Sequence, residues 1–106
     1  MSGTGTGALD FGAFPGSSDA ALAITGQGGI VSGSLVEAWI RPVAMADHSA
    51  DEHMVESIKV MAGNIVAATG FTIYGFNSNQ LSEPASQGNA KETRIYGQWT
   101  VAWVWN

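Results

Sequence analysis

The chain has no cysteine among its 106 residues, which excludes disulfides, thiolate-bound metal centres and cysteine nucleophiles. Basic residues are also scarce, since four Lys and Arg stand against nine Asp and Glu for a net charge of −5. Nucleic-acid binding is therefore not expected, because neutralising phosphates requires clustered basic side chains. No apolar run is long enough for a membrane span, and the first residues lack the basic and apolar regions of a signal peptide. We therefore expect no membrane partner.

In place of charge the chain has 14 glycines, four tryptophans and a hydrophobic fraction of 45%. This composition argues against disorder and favours short strands joined by tight turns. The length fits one domain with a modest core. We expect an all-β fold, an antiparallel β-sandwich or small barrel.

The first 19 residues contain glycines at alternating and near-alternating positions, separated by small residues. Such a composition predicts a flexible N-terminal arm over 1–19, followed by a single β domain over 20–106. Phe11 and Phe14 interrupt the arm and need burial. They are therefore predicted to anchor it on its own domain or on a neighbouring subunit, which makes them candidate interface residues.

Four stretches show strand patterns. Residues 35–40 alternate, with Val36, Ala38 and Ile40 on one face, and residues 71–76 are rich in β-branched and aromatic side chains. Residues 56–61 fit a helical stripe or a strand, and the strand is preferred. Residues 92–106 form the clearest strand, whereas the polar segment 77–91 is predicted to be an exposed loop.

The segment 47–53 is the most charge-dense stretch and combines metal-ligating residue types, with His48, Asp51 and His53 as weak candidate ligands. The two histidines are five residues apart, which does not match the spacing of a helical zinc site. No nucleophile or oxyanion motif accompanies them. We therefore expect a polar connector with a turn or cap, no metal, no cofactor and no catalysis.

The C-terminal strand places Trp99, Val101, Trp103 and Trp105 on one face. Trp99 and Trp103 are predicted to lie in the core. Trp105, one residue from the end of the chain, is predicted to be partly exposed or covered by a neighbouring subunit, and is the third candidate interface residue. An alternative is that the stripe is an aromatic platform for sugar rings.

Several segments together resemble small uncharacterised proteins encoded among the virion genes of tailed bacteriophages. The segments are FPGSSDA at 14–20, TGQ at 25–27, VEAWI at 36–40, DHSADEH at 47–53, GFTIY at 70–74 and YGQWTVAWVW at 96–105. The resemblance extends over most of the chain from about residue 11. It implies a virion structural role but assigns no functional residue.

Three functions follow as hypotheses. The first is a non-enzymatic structural protein of a tailed-phage virion, a head-surface decoration protein or a tail component. It would be made in the host cytoplasm and bind other virion proteins and further copies of itself. The second is a carbohydrate-binding module that uses exposed aromatic residues and the 77–91 loop. The third is a small metal-dependent enzyme built on residues 47–53.

Overall fold

The computed structural model describes residues 2–14, 16–77 and 94–106. In chain order the elements of this part are β1 (Gly3–Asp10), β2 (Asp19–Ile24), β3 (Val36–Ile40), α1 (Ala50–Val55), β4 (Ile58–Val66), β5 (Gly70–Asn77) and β6 (Gln98–Trp105). The strands form two antiparallel sheets, with the orders β1-β6-β3 and β2-β5-β4. The sheets pack face to face, with β1 beside β2 and β3 beside β4. The predicted all-β, antiparallel sandwich-like fold is confirmed.

The predicted flexible arm is wrong for residues 3–10, which form the edge strand β1 along β6. The pairing sets Gly3 opposite Trp105 and Gly5 opposite Trp103. A Cβ at either glycine would overlap the indole of the tryptophan opposite it. The glycine alternation therefore provides room for two large rings over the strand backbone rather than flexibility.

The core between the sheets is built mainly from the inner face of β6 and from β5. Trp99 and Trp103 are buried, as predicted. Trp105 is only 3% exposed, so its predicted exposure is wrong. Because β6 is the central strand of its sheet, Trp105 is held on one side by Gly3 and on the other by Val36. Its indole N–H also donates to Gln27 Oε1 at 2.9 Å.

Other predicted boundaries shift in the structure. The strand preferred over 56–61 is confirmed as β4, which extends to Val66. The C-terminal strand begins at Gln98, and Ile95 forms only an isolated bridge with Ser17. Of the predicted loop 77–91, Asn77 ends β5 and the other residues lie outside the described part.

The packing of β1 predicts a specific sensitivity to Gly5→Ala. The added methyl group would overlap the Trp103 ring, and overpacking of this kind typically costs about 1–3 kcal/mol. Gly28→Ala is the matched control, since beyond its two chain neighbours no atom of the described residues lies within 4 Å of its Cβ position. It should be neutral or stabilising by up to about 1 kcal/mol. Urea unfolding followed by tryptophan fluorescence measures both, and equal stability of the two variants would contradict this packing.

Candidate functional site

The segment 47–53 folds against the start of β6 and encloses Trp99. The His48 ring stacks on the Trp99 indole, with centroids 3.8 Å apart and an interplanar angle of 17°. His53 meets the same indole edge-on at 4.9 Å. Both histidines are buried. The segment therefore covers one end of the core.

The sequence predicted a polar connector here, but residues Ala50–Val55 form helix α1. The helix places His53 in the interior. Ser49 is its N-cap, and a capping box joins Ser49 to Glu52. The pattern Ser-x-x-Glu is the sequence signal that could have predicted this helix start. The helix is too short to be stable alone, so its contacts with Trp99 and β6 hold it in place.

His53 connects α1 to β6 through both ring nitrogens. Nδ1 lies 2.7 Å from the Ser49 carbonyl oxygen, to which it donates. Nε2 lies 2.8 Å from the Thr100 backbone N–H, from which it accepts. One donor and one acceptor define a neutral imidazole with its hydrogen on Nδ1. The ring thus serves as a structural bridge between helix and sheet.

His48 has a different set of partners. Its Nε2 donates to the Tyr96 carbonyl oxygen at 2.7 Å, and its Nδ1 faces Glu52 Oε2 at 3.3 Å. Both partners are hydrogen-bond acceptors. The Ser49 backbone N–H and the His48 ring hold the pKa of Glu52 below its usual range.

The candidate metal ligands do not converge. Asp51 is exposed on the first turn of α1, whereas His48 and His53 are buried with all their ring nitrogens hydrogen-bonded. Within the described residues, no group of three or more His, Asp or Glu side chains is placed to hold a metal ion. Coordination by either histidine would require breaking at least one of these hydrogen bonds.

The predicted interface residues are separated by the fold. Phe11 and Trp105 lie in the chain's own core. Phe14 is 78% exposed and contacts the ring of Tyr96 edge-on at 5.3 Å. Of these three residues, Phe14 alone is available to a partner in this conformation.

The outer face of the β2-β5-β4 sheet is an apolar surface that the sequence did not reveal. We call it the Tyr74 face, and the strand register arranges it in rows across β2, β5 and β4. The rows are Asp19–Phe76–Lys59, Ala21–Tyr74–Met61 and Ala23–Thr72–Gly63. Met61 and Tyr74 are 44% and 39% exposed. Because the rows combine residues from three strands, only the register brings them together.

The outer face of the other sheet carries an open groove of about 340 Å³, the Trp39 groove. It is lined by Thr4, Gly5, Thr6, Trp39, Arg41, Ala102 and Trp103. Trp39 is 45% exposed. The small side chain of Ala102 on the central strand lies between Thr6 on β1 and Trp39 on β3. The groove thus has a low floor between two higher edges.

No protein-family model, curated protein or solved structure matches this chain. Helix α1 has six residues, and no helix in the described residues is long and apolar enough to cross a membrane.

The capping box predicts a pH dependence of stability. Because folding lowers the pKa of Glu52, its contribution is fully present above the unfolded value and is lost as pH falls through the lowered pKa. Urea midpoints of wild type and Glu52→Gln should therefore differ at pH 7 and converge in the acid range below pH 4.5. Asp51→Asn, on the same turn, is the control and should track wild type. A constant gap between wild type and Glu52→Gln across this range would contradict the assignment.

Proposed function

We propose that this chain is a non-enzymatic structural protein of a tailed-phage particle, located on the head surface or in the tail. It binds other virion proteins and further copies of itself, after synthesis in the host cytoplasm. The sequence resemblance supports this role. The structural observation that carries the proposal is the Tyr74 face.

The Tyr74 face has the composition of a protein contact. Its centre is aromatic and apolar, with Tyr74, Phe76 and Met61, and small alanines lie along β2. Its charges, Asp19 and Lys59, lie in a single row at one end. Depletion of charge and enrichment in aromatic residues and Met distinguish interface centres from the remaining surface.

The interior supports a structural role over an enzymatic one. His48 and His53 have the side chains best suited to proton transfer near neutral pH. Their ring nitrogens are instead bonded to Tyr96, Glu52, Ser49 and Thr100. This arrangement braces the chain and leaves neither ring facing a substrate.

The assembly role predicts that the chain co-purifies with particles and depends on the Tyr74 face. Phage lacking the gene can be complemented with wild type, Tyr74→Asp or Val66→Asp, and purified particles analysed by immunoblot. Burying a carboxylate is unfavourable, so Tyr74→Asp should lower incorporation by about tenfold or more. Val66 is also exposed but lies at the β4–β5 turn, and Val66→Asp should incorporate normally. Absence of the wild-type chain from particles would overturn the proposal.

A second candidate function is carbohydrate binding, and the Trp39 groove is the observation that favours it. The alternative of an aromatic platform at Trp99, Trp103 and Trp105 is wrong, because all three rings are buried. Trp39 offers an exposed indole in their place. Most of the 77–91 loop lies outside the described residues.

The chemistry of the groove suits a saccharide. Glu37 and Trp39 lie on β3, and Arg41 follows its last residue at the next alternate position. All three side chains are exposed on the outer side of the sheet. Within the described residues, neither the Glu37 carboxylate nor the Arg41 guanidinium has an ion-pair or hydrogen-bond partner. A sugar ring stacked on the indole would place its hydroxyl groups near the Arg41 guanidinium, which lines the groove. Thr4 and Thr6 supply further hydroxyl groups across the groove.

Binding to an array of bacterial surface glycans tests this second function. Wild type should bind at least one glycan, and Trp39→Ala should weaken that binding by about tenfold through loss of the aromatic contact. Trp39→Phe keeps a smaller ring and should weaken it less. Met54→Ala, an exposed substitution on α1, is the control and should bind normally. Absence of any bound glycan, or equal binding by Trp39→Ala, would contradict the role.

A further inference from the structure

We propose that the Tyr74 face binds the same face of a second copy of this chain around a two-fold axis that runs along β5. This inference rests on the proposed assembly role and specifies one of its contacts. It is derived from the register of β2, β5 and β4, which fixes the order of side chains across the face.

Charge is the first observation. Asp19 and Lys59 are exposed and lie on opposite sides of Phe76 in one row. Two strand spacings separate them by about 10 Å, too far for a direct ion pair within the chain. A two-fold axis along β5 exchanges the two sides of the face. It therefore sets Asp19 of each copy over Lys59 of the other, which forms two equivalent pairs of opposite charge.

Side-chain size is the second observation. The same axis sets the small Ala21 of one copy over the long Met61 of the other. In the next row it sets Ala23 over Gly63, so no two large side chains collide away from the axis. Tyr74 and Phe76 lie on β5, so each contacts the same residue of the second copy across the axis. Aromatic residues are typical of the centre of such a self-complementary contact.

Other axes in the face lack this complementarity. An axis perpendicular to β5 through the Phe76 row would set Asp19 against Asp19 and Lys59 against Lys59, which is repulsive. A perpendicular axis through the Tyr74 row would set both charges over the uncharged row of Ala23 and Gly63. Only the axis along β5 pairs the charges. The twist of packed sheets would then incline this axis by about 15° to β5, half the usual crossing angle of about 30°.

The size of the face sets the strength of the contact. Three strands and three rows span about 15 by 20 Å, or about 300 Å². Stable protein interfaces bury about 800 Å² on each partner, so this contact is weak in dilute solution. In a particle, neighbouring copies are held at high effective concentration, which favours even a weak contact.

Cross-linking tests the axis directly, because a chain without cysteine has no background reaction with maleimides. Facing sheets lie about 10 Å apart, too far for a direct disulfide, so a short bismaleimide is used. Thr72→Cys lies on β5 and should link to itself at least about fivefold faster than the surface control Val66→Cys. Ala21→Cys mixed with Met61→Cys should link faster than either variant alone.

Either of two cross-linking results would overturn the two-fold contact. The first is an equal rate of self-linking for Thr72→Cys and Val66→Cys. The second is self-linking of Ala21→Cys and Met61→Cys that is faster than linking in their mixture.

Charge reversal provides a second measurement by sedimentation of concentrated protein. Asp19→Lys or Lys59→Asp alone should weaken the dimer by about fivefold, and the double variant should restore it. If the chain is present in particles but none of these signals appears, the assembly role stands and the two-fold contact is wrong. If the variants cross-link as expected but the chain is absent from particles, the two-fold contact stands and the assembly role is wrong.

Discussion

The packing of the β6 indoles over the glycine backbone of β1 is the constraint on which the rest of the structure depends. Trp103 and Trp105 can lie in the core only because Gly5 and Gly3 leave room beneath them. β6 is the central strand of its sheet and is paired on both sides as far as Trp105. A small sandwich thereby buries three tryptophans in a chain that has no cysteine for disulfides.

The segment 47–53 completes this core at the other end of β6. His48 and His53 enclose Trp99. The His53 ring bonds a short helix to the backbone of β6, and the His48 ring bonds the carbonyl of Tyr96, just before that strand. Buried polar groups must be paired, and here the pairing also fixes the position of the helix. The residue types that suggested a metal site therefore have a structural function in this chain.

The two outer faces of the sandwich differ in composition because the two sheets expose different side chains on the side that faces away from the core. The Tyr74 face is apolar with one row of opposite charges, whereas the Trp39 groove combines an exposed indole with two threonine hydroxyls and a guanidinium. Under the two proposed functions, a protein neighbour would contact the first surface and a saccharide the second. The faces belong to different sheets, so one contact does not obstruct the other, and an assembled protein can keep a second surface free.

The sequence by itself determined the all-β class and the buried face of β6, because period-two alternation is a local property of a strand. The Ser49–Glu52 capping box was also readable locally. Tertiary structure alone decided that Gly3 and Gly5 belong to a strand, that Trp105 is buried and that Tyr74 lies beside Met61. Each of these depends on which strands pair and in which register. The pairing and register of distant segments depend on the packing of the whole core. A local sequence pattern does not encode that packing.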